Sequence, residues 1–261
     1  MLIDTHCHLD FPIFDSWRDQ ALRQACIASI GAIVVPGVTA RHWVRVLDLT
    51  CGNSSAVRLY PALGLHPCFM SEHRPEHLDQ LRTTVVEHRD RLVAIGEIGL
   101  DFQLEHYDAR AQTELLQAQL LIAREAALPV LLHVRKAHDQ VLKLLRQLRL
   151  PRAGIVHAFS GSEQQAREYA KLGFKLGFGG AISYPRATKL RRLAAELPLE
   201  WLVLETDAPD MPLSRWRDEP NQPLRVVEVA HIIAELRATT VEQVAQQTSA
   251  TARKLLQLNH S

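Results

Sequence analysis

Two histidines one residue apart, His6 and His8, close the short apolar opening of the chain and are its first residues able to do chemistry. Side chains alternate faces along a β-strand, so positions i and i+2 project together. His6 and His8 then form a chelating pair for a borderline divalent cation, with Cys7 on the opposite face. Later apolar runs end the same way. His66 stands in Gly64-Leu65-His66-Pro67 and Glu97 in Gly96-Glu97-Ile98-Gly99-Leu100-Asp101. His133 is followed by Arg135, His157 by Phe159-Ser160-Gly161, and Glu205-Thr206-Asp207 ends a further run. Singly, His133 and His157 have an ordinary explanation as hydrogen-bonded core histidines, and Asp207 as a turn cap ahead of Pro209. Glu97 is different, because a carboxylate between Ile95 and Ile98 needs a cation or a proton.

Eight β-type runs must position these groups: residues 1–5, 32–36, 57–63, 92–98, 129–134, 154–158, 174–178 and 202–206. Helical periodicity fills the stretches between them. Leu22, Cys26 and Ile30 recur every four residues, Val141, Leu144, Leu145 and Leu148 mark another face, and Val226, Val229, Ile232, Ile233 and Leu236 a third. Eight strand-then-helix units in about 250 residues are the arithmetic of an α/β protein of the (β/α)8 TIM-barrel type. Neither a composition break nor a flexible linker divides the chain, so residues 1–261 are expected to form a single barrel domain. Residues 207–223 read as a long loop after the eighth strand, and residues 241–258 as a closing helix outside the barrel. Barrel active sites lie at the C-terminal strand ends, where the candidate ligands fall.

Four histidines and two carboxylates, His6, His8, His133, His157, Glu97 and Asp207, exceed what one tetrahedral zinc needs. They suffice for two cations, with Glu97 as bridge; two metals about 3.5–4 Å apart activate a water and polarise a phosphoryl or carbonyl oxygen. That favours hydrolysis over redox chemistry, and no nucleotide-cofactor fingerprint or nucleophile elbow is present. Apart from His66, the remaining histidines read as surface or structural.

Lys and Arg total 30 against 29 Asp and Glu, a formal net charge of +1. Tight binding to long duplex DNA is disfavoured by this balance. Arginine nonetheless outnumbers lysine 24 to 6, and arginine is the better bidentate phosphate partner. The four cysteines form no CxxC pair, which argues against a disulfide framework or a thiolate zinc site; Cys68 is read as a buried or free thiol. No signal peptide or long apolar span is evident, so a cytoplasmic location is expected, with no membrane and no obligate protein partner.

Three stretches resemble the signatures of the TatD family of metal-dependent hydrolases: Leu2-Ile3-Asp4-Thr5-His6-Cys7-His8-Leu9-Asp10, Pro129-Val130-Leu131-Leu132-His133-Val134-Arg135-Lys136-Ala137-His138-Asp139, and Leu202-Val203-Leu204-Glu205-Thr206-Asp207-Ala208-Pro209. The motifs around His66, Glu97 and His157 fall between them in the family's order, and YjjV-type bacterial members are particularly similar. The resemblance implies a barrel with two divalent cations per subunit: zinc, manganese or magnesium. His6, His8 and Asp207 would hold one, His133 and His157 the other, and Glu97 would bridge. It also implies deoxyribonuclease activity on nucleic-acid ends. Asp207 is the expected proton acceptor beside Glu97 in the catalytic centre, and His66 and Arg135 are expected to bind substrate phosphate. A carboxylic ester or amide hydrolase, such as a D-aminoacyl-tRNA deacylase, is the alternative chemistry; a non-catalytic binding protein is disfavoured because no ligand position is missing. The departure from the family lies at Arg217-Asp218-Glu219-Pro220-Asn221-Gln222-Pro223, where relatives carry a more basic stretch and where the loop is expected to line the mouth.

Overall fold

The computed structural model describes residues 1–52 and 57–258. Eight strands, β1 (Leu2–Asp4), β2 (Ile30–Gly37), β3 (Arg58–Leu63), β4 (Ala94–Asp101), β5 (Val130–Arg135), β6 (Gly154–Val156), β7 (Lys175–Phe178) and β8 (Leu202–Leu204), pair in parallel in chain order. The helices α1 (Arg18–Ile27), α2 (Ala40–Leu49), α3 (Glu76–Glu87), α4 (Ala109–Glu125), α5 (His138–Leu148), α6 (Glu163–Lys171) and α7 (Thr188–Glu196) each follow one strand; α8 (Val226–Leu236) and α9 (Val241–Leu256) follow β8. This is the expected (β/α)8 barrel.

Period-2 patterning sorts the strand residues into two cores. Ile3, Ala32, Val34, Ala62, Ala94, Leu131, Ile155 and Val203 form one buried cluster with Ala252, Leu256 and Leu258, so α9 and the residues after it close the N-terminal end of the barrel interior. Their neighbours Leu2, Ile33, Val35, Leu63, Ile95, Leu132, Val156, Leu202 and Leu204 pack outward with helix residues such as Trp43, Val46, Leu120, Val141 and Val229. The helices start where their sequences permit. Asp108 caps α4 by accepting from Arg110 N and Ala111 N, and capping boxes Ser162/Gln165 and Thr240/Gln243 open α6 and α9.

The seam between β1 and β8 is closed just past their last residues. Thr5 N donates to Leu204 O (2.9 Å), Asp207 N to His6 O (2.8 Å) and His8 N to Ala208 O (2.8 Å). Beside it, the buried Asp4 carboxylate accepts from His6 N (3.2 Å), Thr206 N (3.0 Å) and Thr206 Oγ1 (2.6 Å).

Ile30 departs from expectation. It opens β2 instead of continuing the first helix, because α1 stops at Ile27 and the chain turns through Ser29 in the left-handed region (φ 61°). Strands β6 and β8 have three residues each, so His157 and Asp207 stand just beyond the ladders.

Candidate metal centre

Each inward-facing apolar position near the bottom of the barrel is followed, at the rim, by a polar one. On β5, Leu131 leads to His133; after β6, Ile155 leads to His157; after β8, Val203 leads to Glu205 and Asp207. His6 and His8 lie past β1, yet the alternation persists: Cys7 between them is fully buried and forms an isolated parallel bridge with Ala208. On β4 the register slips between Ile95 and Ile98, which pair with Val130 and Leu132, leaving Gly96 and Glu97 as an irregularity in the ladder at the barrel mouth. The chain leaves β5, β6 and β8 through Lys136, Ala158 and Asp207, all with φ between 43° and 58°.

The Glu97 carboxylate is the hub. Its Oε2 lies 3.1 Å from His6 Nε2 and 3.5 Å from His8 Nε2. Its Oε1 lies 3.1 Å from His133 Nδ1, 3.2 Å from His66 Nε2 and 3.7 Å from His157 Nε2. Asp207 closes the ring: Oδ1 is 3.7 Å from His6 Nε2 and 3.5 Å from His8 Nε2, while Oδ2 is 3.7 Å from His157 Nε2. All six expected metal ligands are thus brought together. They form overlapping triads that could hold an ion: His6, His8 and Glu97; His6, His157 and Asp207; Glu97, His133 and His157.

Electrostatics argue that the cluster is built for cations. Burial works to protonate Glu97, but the surrounding His66, His6 and His157 rings and the His133 hydrogen bond hold it well below the ordinary carboxylate range. Asp207 is likewise held down, against burial, by His157 and His8. Burial takes His66 down to about 4, whereas His157, opposed by burial, is carried up to about 10 by Glu205, Asp207 and Glu97. Two ring nitrogens only 3.3 Å apart, His6 Nε2 and His8 Nε2, also face the same carboxylate oxygen. Hard carboxylates mixed with imidazoles suit zinc, manganese or magnesium, so the donor set fits the divalent cations the sequence implies.

A second set of groups orients these rings, and sequence reasoning assigned it no role. His8 Nδ1 contacts Pro36 O (3.2 Å), His133 Nε2 contacts Asp101 Oδ2 (3.0 Å), and His157 Nδ1 lies 3.1 Å from Glu205 Oε1. Asp101 is fully buried; burial notwithstanding, the His133 hydrogen bond and the Gln103 amide bring it down to about 2. Glu205 also accepts from Ala158 N (2.6 Å) and occupies the space above Gly177, where a Cβ would sit 2.1 Å from its Oε2. The His133–Asp101 hydrogen bond fixes the tautomer and the ring plane of His133, and Glu205 stands beside His157 as its ion-pair partner. The signal available in sequence was acidic residues adjoining the ligand motifs: Asp101 four residues after Glu97, Glu205 two before Asp207.

The centre floors a cleft of about 540 Å³ lined also by Phe11, Phe69, Arg135, Ser160, Asp210 and Met211. His66 is buried among the ligands, its Nδ1 accepting from Cys68 N, while Arg135 is half-exposed with NH1 3.7 Å from Asp101 Oδ2. Cys68 is exposed and lines this cleft, 3.6 Å from Asp101 Oδ2. Residues 217–223 do not line the cleft as expected. Asn221 is buried and donates Nδ2 to Thr206 O (2.8 Å) and Met211 O (3.2 Å), and Glu219 pairs with Arg225, so the stretch braces the β8 loop from behind. No helix among the described residues is long and apolar enough to cross a membrane. His260 lies outside the described residues.

Comparison with known proteins agrees with this architecture. The profile of the TatD related DNase family matches residues 3–257. An uncharacterized metal-dependent hydrolase of Escherichia coli K12, YjjV, is 44% identical over 244 residues, covering 94% of this chain and 93% of the relative. The crystal structure of E. coli YjjV superposes with a TM-score of 0.94 at 42% identity, covering 99% of this chain and 98% of that one. A protein of Erwinia amylovora named 3'-5' ssDNA/RNA exonuclease TatD is 31% identical over 264 residues, covering 98% of this chain and all of the relative. The chain belongs to the TatD related DNase family of metal-dependent hydrolases.

Proposed function

We propose that this chain is a two-metal phosphodiesterase, one barrel unit acting in the cytoplasm on the ends of nucleic-acid strands. One observation carries the reading: the two oxygens of Glu97 are divided between His6 and His8 on one side and His66, His133 and His157 on the other, as a bridging carboxylate requires. His6, His8 and Asp207 would hold one cation, His133 and His157 the second, with Glu97 shared. Bound there, two divalent cations supply a lowered pKa for water and charge neutralisation at phosphorus.

The chain's own residues do the rest. Asp207, anionic and at the cleft floor, accepts the proton of the attacking water. His66 and Arg135 face the same cleft and hold the phosphate oxygens. Asp101 and Glu205 are positioning residues for His133 and His157. The concave mouth admits a strand that can bend into it, which favours flexible ends over duplex interior. The exonuclease name of the Erwinia relative supports a nucleic-acid substrate.

The test is a panel. Purified protein stripped of metal is reloaded with magnesium, manganese or zinc and offered end-labelled single-stranded DNA and RNA, blunt duplex, closed circular DNA and a D-aminoacyl ester. Shortening of single strands with circles intact is expected. Efficient ester hydrolysis without cleavage of any nucleic acid would reject the reading in favour of the carboxylic ester class.

A further inference from the structure

The metal cleft does not end at Arg135. Past this side chain it meets a second, polar cleft of about 390 Å³, and the two share Gln103, Arg135 and Ser160. Lys136, Lys189, Ser162 and the first turn of α5 form the rest of its wall. Its charge is unbalanced. Lys136 and Lys189 are both exposed, and among the described residues neither has an acidic group within ion-pair distance. Lys189 Nζ donates to Ser160 O (2.7 Å), which places its ammonium at the junction of the two clefts. Asp139, the only lining carboxylate among the described residues, accepts from Gln165 Nε2 (2.9 Å).

The backbone adds to this field. Helix α5 opens at Ala137 with no side-chain cap, and His138, Asp139 and Gln140, whose amides form its positive end, line the cleft. His138 is buried there, 8% exposed, and its Nε2 has no partner among the described residues. Two ammonium groups without an ion-pair partner among the described residues, an uncapped helix start and an arginine shared with the metal cleft make a receptor for an anion connected to the one being cleaved.

We propose that the second cleft binds the phosphate next to the scissile one, so that the substrate class is an oligonucleotide with at least two consecutive phosphates. This rests on the phosphodiesterase reading above. A substrate with one phosphate fills only the metal cleft; a longer strand fills both and gains the hydrogen bonds of Lys136 and Lys189.

Three substrates separate the two ideas: bis(p-nitrophenyl) phosphate and dTpdT with one phosphate, and dTpdTpdT with two. The metal-loaded wild type should cleave dTpdTpdT with a kcat/KM about tenfold or more above that for dTpdT, the worth of one charge-assisted hydrogen bond. The Lys136→Ala/Lys189→Ala double variant should lose that advantage through KM while keeping wild-type rates on both one-phosphate substrates, and Lys136→Arg/Lys189→Arg should restore it. Independently of turnover, fluorescence anisotropy of labelled oligothymidylate with metal-free protein should show a shallower salt dependence in the alanine variant, by about 0.7 for each phosphate no longer neutralised. Cleavage of all three substrates with no two-phosphate advantage, or equal losses of the variant on one- and two-phosphate substrates, overturns the second cleft and leaves the phosphodiesterase reading standing. No cleavage of any of the three overturns both.

Discussion

Gly177→Ala is the sharpest test of how the centre is held. Gly177 is not itself an expected metal ligand, yet a Cβ built on it would lie 2.1 Å from Glu205 Oε2 and 2.6 Å from Cδ, where real contacts stay beyond 3.0 Å. The carboxylate must therefore retreat by about 1 Å (3.0 less 2.1, from the same distances). It has nowhere to go cheaply, since Glu205 is 1% exposed and tied to Ala158 N at 2.6 Å. Retreat breaks its 3.1 Å approach to His157 Nδ1. Loss of such an orienting partner typically costs about 10–100-fold in metal affinity, or about 1.4–2.7 kcal/mol, and overpacking adds about 1–3 kcal/mol to the cost in stability. Metal titration of the stripped protein, followed by metal analysis, should show one of two ions weakened by that factor while the other binds normally. Glu205→Gln, which keeps the shape and removes the charge, should weaken the same ion. A Gly177→Ala protein that binds both ions with wild-type affinity and turns over normally would refute the idea that Glu205 positions His157.

Three further outcomes are expected. Glu97→Gln should lose metal and activity together, because both clusters of rings share that carboxylate, whereas Asp207→Asn should lose rate by about 100-fold or more with a smaller loss of metal; metal content and kcat measured on the same samples decide between them. Thr206→Val removes the 2.6 Å bond to Asp4 Oδ2 at the β1–β8 seam and should cost about 1–3 kcal/mol in urea unfolding of the metal-free protein. His138 is brought from 6.5 to about 4 by burial, then by Lys189, so the unfolded chain binds its proton first as pH falls. Stability from this group is complete above about pH 6.5 and declines toward pH 4 by up to about 3 kcal/mol, and His138→Gln should flatten that part of the unfolding profile.

The barrel and the convergence of its candidate ligands were legible because both obey the period of the β-strand. Apolar residues at inward positions, Leu131, Ile155 and Val203, run directly into His133, His157 and Asp207 without a change of phase, so a one-dimensional pattern already encodes a ring of donors at one end. Strand ends were less legible. Gly154–Val156 and Leu202–Leu204 stop short of the apolar runs that contain them, because the chain must turn outward through Ala158 and Asp207 to aim side chains at Glu97. Ile30 fitted a helical interval only by coincidence of spacing; nothing local in the pattern shows that Ser29 reverses the chain.

What the sequence concealed is the support of the ligands, and the reason is that support depends on distance between elements. Asp4 and Thr206 are 202 positions apart, and their bond exists only once the barrel closes. Asp101 finds His133 across β4 and β5, and Glu205 finds His157 across the face of Gly177. The same holds for Asn221, which reads as part of a mouth loop and instead anchors that loop from behind through Thr206 O and Met211 O. Each of these groups is a buried polar residue that meets, besides any local amide, a partner remote in sequence. Periodicity therefore locates the donors, while closure of the barrel decides which oxygen holds which ring. A change at Gly177, outside every quoted motif, or at Thr206, which is no expected ligand, should accordingly reach the candidate metal site through the carboxylates behind them.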